Sequence, residues 1–268
     1  MAMREYIKEL VPPVLVRAGR KLVGTGHRPT PERYDSWEHA KAACGAGYEE
    51  ARLVEVVRRK TEAYRDALAR QPPDLDFTLC RLLLALHMTQ HASPCVLDFG
   101  GACGANFFAS SALGRVIGAW LVVETPAMVR EAKVLASDRL KFVDRLEDPG
   151  TCDLLIVSSS IQYTPDPLTT LRELLSVGAP YVYLTRTPLI EQSEPMVSVQ
   201  EALLSENGPG PLPPGVADVK CRYPITYLPQ GHVEKMLQEQ YSIQLRFDEG
   251  TYHRSPSVST FGYFAKRR

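Results

Sequence analysis

The residues best suited to chemistry follow an apolar stretch in the middle of the chain. The segment VLDFGGACG, residues 96–104, places Asp98 directly before residues with almost no side chains. Such a turn lets a ligand approach the backbone closely, because no side chain intervenes. The segment therefore predicts a nucleotide-binding turn, and the following ANFFASSAL predicts its helix. The members of the turn are Gly100, Gly101, Ala102 and Gly104.

A second carboxylate lies where the next apolar stretch ends. Glu124 closes AWLVVE, twenty residues after Gly104. A carboxylate at this spacing can accept hydrogen bonds from both hydroxyls of a ribose. Thr125 follows it and precedes a proline, a pattern typical of a helix start. We therefore expect Glu124 and Thr125 to belong to the same nucleotide site.

The spacing of the glycines distinguishes between two nucleotide cofactors. A dinucleotide fingerprint begun at Gly100 requires glycines where the chain has Ala102 and Ala105. The pattern acid-x-Gly-x-Gly-x-Gly, in contrast, matches at Asp98, Gly100 and Gly104, with Ala102 as its one departure. The spacing therefore disfavours NAD.

The predicted secondary structure that must position these residues changes along the chain, from helices to strands that alternate with helices. Apolar residues recur at helical spacing from Asp35 to about Gln90, and Pro72 and Pro73 divide this part in two. Unalternated apolar runs of the kind found in buried parallel sheets then alternate with helices. These strand candidates are residues 95–100, 119–124, 140–143, 152–160 and 181–186.

The pattern changes again after Arg186. Residues 188–226 include SENGPGPLPPG, and this composition predicts a Pro-rich lid rather than regular structure. YSIQLRF and STFGYFAKR near the end predict two strands whose connection is too short for a crossover helix, so they should pair antiparallel. We expect a helical cap over residues 1–92 and a catalytic domain over residues 93–268.

Composition limits the classes of binding partner and indicates a cellular compartment. Thirty-one basic residues balance 31 acidic ones, which disfavours nonspecific binding to nucleic acid and favours a small-molecule or glycan partner. Six cysteines without a CxxC pair indicate reduced thiols and a cytoplasmic protein. We find no signal-peptide pattern at the start and no apolar run long enough to span a bilayer.

The first residues carry a local charge excess. Residues 1–28 hold six Lys or Arg against two Glu, interleaved with apolar side chains. Two interpretations stay open: an arm that packs its apolar side on the domain, or a peripheral contact with an anionic membrane surface.

The pattern at residues 98–104 resembles the first motif of class I S-adenosylmethionine-dependent methyltransferases. That resemblance implies an α/β fold with a Rossmann-like seven-stranded sheet, mostly parallel, with its last strand antiparallel. The family's fourth motif corresponds to CDLLIVSSSIQYTPDP. The resemblance implies that Tyr163 faces the substrate and that four residues lie near the reacting methyl group: Ser158, Ser159, Ser160 and Gln162.

The segments YDSWEHAKAACGAGY, WLVVETPAMVREAK and IVSSSIQYTPDP are similar to a methyltransferase family of bacterial surface-polysaccharide and secondary-metabolite gene clusters. The expected activity is methyl transfer (EC 2.1.1) from S-adenosylmethionine to a hydroxyl or amine of a glycan precursor or small metabolite. Two alternatives remain: a NAD-dependent oxidoreductase, and a noncatalytic cofactor-binding partner of a biosynthetic enzyme. The sequence indicates no oligomeric state.

A weakly acidic acceptor needs a base to remove its proton, and histidine is the commonest one. His253, between the last two strands, is a candidate, and His232 is similar. Arg186 closes the fifth strand candidate, where it could hold an acidic group of the substrate or form a structural salt bridge. No metal-binding pattern occurs, so we predict a metal-independent reaction.

Overall fold

The computed structural model describes residues 32–146, 152–252 and 258–268. The basic segment 1–28 and His253 lie outside the described residues, so the predictions made for them stay predictions.

In the described residues, three α-helices precede residue 94, and strands follow it, several of them with an intervening helix. The helices are α1 Trp37–Ala42, α2 Ala51–Leu68, α3 Phe77–Met88, α4 Ala105–Ala112, α5 Pro126–Ala132, α6 Pro167–Ser176 and α7 Gln230–Gln240. The strands are β1 Cys95–Phe99, β2 Ala119–Val123, β3 Leu140–Val143, β4 Leu154–Ser158, β5 Tyr181–Ile190, β6 Met196–Leu203, β7 Lys220–Pro229, β8 Tyr241–Thr251 and β9 Ser259–Arg267. Among the described residues, β3 and β4, β5 to β7, and β8 and β9 succeed one another without an α-helix.

Seven strands of the nine-stranded sheet follow the order β3-β2-β1-β4-β5-β9-β8, and β7 and β6 branch from the end of β5. The first five are parallel, whereas β9 runs antiparallel to both β5 and β8. The predicted Rossmann-like methyltransferase sheet, mostly parallel with an antiparallel last strand, is therefore confirmed. Because the carboxyl ends of β1, β2, β4 and β5 meet at one edge, the residues that follow these strands come together there.

The structure corrects the expectation of irregular backbone over residues 188–226. β5 continues to Ile190, and β6 and β7 form an antiparallel hairpin with register from Met196 opposite Tyr227 to Leu203 opposite Lys220. The prolines and glycines lie mainly in the connection of this hairpin. β7 pairs with β5 at Leu189 and Ile190, beyond the end of β4.

Both faces of the sheet are buried, as its unalternated apolar strands predict. Val96 packs in the core that contains Leu53 and Val57 of α2, together with residues of α3, α4 and α5. The next residue, Leu97, packs on the opposite face with Leu171 of α6 and residues of α7. The glycine-rich turn after β1 therefore starts from a rigid central strand.

The helices before β1 agree with the predicted helical lead-in, and α2 packs against α4 and α5. Two predicted helix starts are confirmed: the Thr125 hydroxyl accepts a hydrogen bond from the Met128 amide, and Asp166 accepts one from the Thr169 amide. Over the described ranges, each helix is too short or too polar to cross a bilayer.

Candidate active site

The turn between β1 and α4 has no room for side chains at two of its glycines. Gly100 adopts φ 71°, and a Cβ there would lie 2.2 Å from the Cβ of Ser160. A Cβ at Gly101 would lie 2.6 Å from the carboxyl carbon of Asp98. Gly104 adopts φ 81° and precedes the first turn of α4. The backbone of the turn therefore packs tightly against Ser160, which follows β4, at Gly100 and against Asp98 at Gly101.

Asp98 is fully buried at the end of β1. Its Oδ2 accepts hydrogen bonds from Trp120 Nε1 at 3.1 Å and from Asn106 Nδ2 at 3.4 Å. Its Oδ1 has no hydrogen-bond partner among the residues described. Desolvation raises the pKa of Asp98 from 3.8 to about 6, against the lowering effect of its hydrogen bonds. One buried oxygen is thus available to a donor from a ligand.

Glu124 ties the end of β2 to the glycine-rich turn. Its Oε1 accepts a hydrogen bond from the Ala102 amide at 3.0 Å, and its Oε2 accepts one from the Thr125 amide at 2.8 Å. Desolvation raises the pKa of this carboxyl, and the two backbone donors lower it. Each oxygen keeps a lone pair for a ligand hydroxyl.

Three residues other than glycine adopt left-handed backbone around the site. They are Ala102 at φ 50°, Ser159 at φ 55° and Arg186 at φ 54°, each just after or within a different strand of the sheet. Such backbone costs about 1 to 2 kcal/mol for an L-residue and persists only where the surroundings impose it. All three line one cavity, which marks this edge of the sheet as the candidate site.

Two neighbouring cavities lie over this edge. The first, of about 360 Å³, is called the β2-side cavity, and the second, of about 510 Å³, the β5-side cavity. The β2-side cavity includes Glu124, Thr125, Met128, Asp144, Ser160 and Tyr163. The β5-side cavity includes Asp98, Gly101, Asn106, Ser158 and Arg186. Residues shared by both are Gly100, Ala102, Ser159, Asn207 and Gly208.

The residues that follow β4 differ in their exposure to the cavities. Ser159 lines both, and the Ser160 hydroxyl donates to the Phe99 carbonyl at 2.7 Å. Gln162 is buried and lines neither cavity, but its Nε2 donates to Ser159 Oγ at 3.2 Å. Gln162 therefore stabilises Ser159 without lining either cavity. Its predicted contact with a cofactor stays a prediction.

Tyrosine side chains form one wall of the β2-side cavity. The Tyr163 hydroxyl donates to Gln200 Oε1 at 3.1 Å. Its ring lies edge-on to Tyr48, with 4.8 Å between centroids, and Tyr48 stacks on Tyr223 at 3.9 Å. Tyr163 thus lines the site, whereas its predicted contact with the substrate stays a prediction.

The connection of the β6–β7 hairpin covers both cavities. Asn207 and Gly208 line each of them. The buried ammonium of Lys60 on α2 donates to the carbonyls of Ser205 at 2.7 Å and Asn207 at 2.6 Å. A buried charge needs such partners, so Lys60 fixes this part of the predicted lid over the site.

Sequence reasoning missed several residues of the site. Asp144 follows β3 directly, as Glu124 follows β2, so the same rule about strand ends could have found it. Asn106 is the second residue of α4, and its side-chain amide donates a hydrogen bond to Asp98. Asn207 and Gly208 carry no local signal, because only the hairpin brings them to the sheet edge.

The described histidines lie away from the site. His232 is an exposed residue of α7, and neither cavity is lined by a histidine among the residues described. The same ranges contain no group of three or more His, Cys, Asp or Glu side chains that could hold a metal ion.

Comparisons with solved structures find similar folds at low identity. The N-terminal domain of EvdMO1 with S-adenosylhomocysteine bound is 13% identical, with a TM-score of 0.49 over 79% of this chain and 97% of that chain. Magnesium protoporphyrin IX methyltransferase from Synechocystis PCC 6803, with bound S-adenosylmethionine, is 14% identical, with a TM-score of 0.45 over 74% and 87%.

The glycopeptide N-methyltransferase MtfA, complexed with S-adenosylhomocysteine, is 17% identical, with a TM-score of 0.44 over 74% of this chain and 93% of that chain. No protein-family model and no curated protein matches the chain. These identities and TM-scores are too low to assign a function, so the function proposed below depends on this chain's own site.

Proposed function

We propose that this chain is an S-adenosylmethionine-dependent methyltransferase that acts on a hydroxyl or amine of a glycan precursor or small metabolite. One observation carries the proposal. The Glu124 carboxylate is hydrogen-bonded to the glycine-rich turn at Ala102, beside a cavity of about 360 Å³. A carboxylate after β2, held against a bare backbone after β1, suits the ribose of a nucleoside.

The two cavities together suit a ligand with a nucleoside at one end and an amino acid at the other. Glu124 would accept hydrogen bonds from the ribose hydroxyls. Asp98 would accept one from the ammonium group, since its Oδ1 is buried and without a partner among the described residues. Ser159 and Gly100, which line both cavities, would lie between these ends. The cofactor would supply a methyl group on a positively charged sulfur.

The chain's own residues would contribute mainly by positioning and by excluding water. Methyl transfer gains most of its rate when the nucleophile is held about 3 to 3.5 Å from the reacting carbon. Ser158 and Ser159 border the region where the two groups would meet, and Asn207 and Gly208 cover it. Asp74, Asp76 and Asp98 line the β5-side cavity and would favour the positively charged ammonium and sulfonium groups of the cofactor. His253 as the general base remains our proposal from the sequence.

Calorimetry on the purified full chain tests the cofactor. We expect S-adenosylhomocysteine to bind at least about 100-fold more tightly than NAD, a difference of about 2.7 kcal/mol. The physical reason is that the turn lacks the dinucleotide glycine spacing. Tighter binding of NAD would favour an oxidoreductase. Binding without any methyl transfer to host metabolites would favour a noncatalytic cofactor-binding protein.

Glu124→Gln tests the ribose contact. We expect it to weaken S-adenosylhomocysteine binding by about 1 to 3 kcal/mol, because hydrogen bonds to a charged acceptor are lost. Glutamine keeps the volume and one acceptor oxygen, so circular dichroism should remain that of the parent protein. Glu239→Gln, on the exposed side of α7, is the matched control. Unchanged affinity of the Glu124 variant would mean that the ribose lies elsewhere.

A further inference from the structure

We propose that the methyl acceptor carries an anionic group, a carboxylate or a phosphate, and that Arg186 binds it at the β5 end of the β5-side cavity. This inference rests on the proposed function and names the class of its substrate. Glu249 acts as the positioning residue for Arg186. Four observations support this inference. They are the backbone conformation of Arg186, the contacts of Glu249, the hydrogen bonds of the Arg186 guanidinium and the position of Arg186 along the sheet edge.

The backbone of β5 is distorted at Arg186. This residue adopts φ 54°, and the pairing of β5 with β9 shifts register between Leu184 and Thr187. A β-bulge of this kind re-aims a side chain. Arg186 is the one exposed residue in an otherwise buried strand, and it lines the cavity. The left-handed conformation therefore places a cation at the site at a cost in backbone strain.

Glu249 of β8 holds this conformation. Its Oε2 accepts a hydrogen bond from the Arg186 amide at 2.6 Å, and its Oε1 accepts one from the Thr185 hydroxyl at 2.7 Å. The side chain is only 5% exposed and also pairs with the guanidinium of Arg81. Because Arg81 compensates its charge, Glu249 binds the backbone of Arg186 without occupying the Arg186 guanidinium.

The guanidinium of Arg186 is oriented but carries no ion pair among the described residues. Its Nε donates to Ser158 Oγ at 3.1 Å. The nearby Asp98 carboxylate instead accepts its hydrogen bonds from Trp120 and Asn106. Arginine presents several N–H groups in a rigid plane that matches a carboxylate or phosphate. Donors of Arg186 thus remain for a bound anion.

The other charged residues that line the β5-side cavity are acidic: Asp74, Asp76, Asp98 and Glu206. Their field opposes an anion in this cavity, and Arg186 is the one cationic side chain among the described residues that line it. An acceptor with one anionic group would therefore enter in a single orientation. Selection of this orientation comes from repulsion by the carboxylates as much as from attraction by Arg186.

The sheet order separates Arg186 from the nucleoside end of the site. Glu124 follows β2, and β1 and β4 lie between β2 and β5. Three strand spacings correspond to about 14 Å. With a ribose at Glu124 and the reacting centre near Ser159, Arg186 lies on the far side of that centre, where the acceptor would be. The alternative partner for Arg186 is the carboxylate of the cofactor itself, and the experiment separates the two.

The test uses the full chain, S-adenosylmethionine labelled in its methyl group and a metabolite extract of the source organism. Labelled products are separated by anion exchange, with and without phosphatase treatment. We expect the label to elute with anions, and phosphatase sensitivity would distinguish a phosphate from a carboxylate. Arg186→Gln should raise the KM for the partially purified acceptor at least about tenfold and leave the Kd of S-adenosylhomocysteine within twofold.

Three further variants keep the result interpretable. Arg186→Gly removes the guanidinium and relieves the left-handed strain, so it should lose acceptor binding without losing stability. Glu249→Gln should raise the same KM by a smaller factor, because the guanidinium is retained but less well positioned. Arg172→Gln, on the exposed side of α6, removes a positive charge elsewhere and should leave KM and Kd unchanged.

Three outcomes would overturn the inference: label only in neutral or cationic products, an unchanged KM in both Arg186 variants, or a loss of S-adenosylhomocysteine affinity in those variants. The last outcome would assign Arg186 to the cofactor. Failure of the wild-type chain to bind S-adenosylhomocysteine would contradict the proposed function, and the inference with it.

Discussion

Replacing Gly100 with alanine should lower the free energy of unfolding by about 2 to 5 kcal/mol and greatly weaken cofactor binding. The left-handed backbone at φ 71° accounts for about 1 to 2 kcal/mol of this cost. The added Cβ would also lie 2.2 Å from the Cβ of Ser160. Relieving that overlap displaces Ser160 or the turn, at about 1 to 3 kcal/mol. Urea unfolding and calorimetry with S-adenosylhomocysteine measure the two effects.

Gly114→Ala is the matched control. Gly114 adopts φ 78°, close to that of Gly100, but a Cβ there would meet no heavy atom within 4 Å. This variant should therefore show the backbone cost alone and keep the cofactor affinity of the parent protein. Adding Ser160→Gly to Gly100→Ala should recover part of the loss, because it removes the opposing Cβ. Equal destabilisation at both glycines would show that the turn is not sterically closed.

Asp98→Asn should make the protein more stable at pH 7 by about 2 to 4 kcal/mol, with the difference disappearing towards pH 4. Burial raises the pKa of this carboxyl in the folded protein from 3.8 to about 6. Below pH 4 both the folded and the unfolded states hold the proton, so Asp98 contributes no pH dependence. Between pH 4 and 6 the unfolded state loses the proton first, and the free energy of unfolding falls. Above pH 6 the full cost of the buried charge is present.

The same substitution should weaken S-adenosylhomocysteine binding, since the ionised Oδ1 is the proposed acceptor for the ammonium group. If the Asp98→Asn variant is more stable but binds S-adenosylhomocysteine less tightly, the buried charge serves ligand binding at the expense of stability. Urea unfolding at several pH values and calorimetry at pH 7 provide the two measurements. Asp138→Asn, at an exposed position, is the control. A constant stability difference between pH 4 and 7 would contradict the assigned pKa.

Local patterns were sufficient to predict much of the sheet and the position of two carboxylates at its edge. The strands β1 to β5 have apolar runs, and Thr125 and Asp166 cap the helices that follow their turns. Asp98 near the end of β1 and Glu124 directly after β2 could be placed together because the carboxyl ends of parallel strands meet at one edge of the sheet. Asp144 obeys the same rule and could have been predicted with them.

Other features depended on contacts between distant segments. The prolines and glycines around residue 210 predicted an irregular lid, yet β6 and β7 on either side of them pair with each other. Whether an alternating segment becomes a strand depends on its finding a partner, and no local pattern records that partner.

The sequence by itself determined the parallel sheet, its helix starts and the two carboxylates beside the glycine-rich turn, because each follows from short-range periodicity and strand ends. The tertiary structure alone decided that Lys60 holds Asn207 over the cavities and that Glu249 sets the backbone of Arg186. These contacts join residues 147 and 63 positions apart. Their formation depends on burial and on hydrogen-bonding groups that meet only in the folded chain.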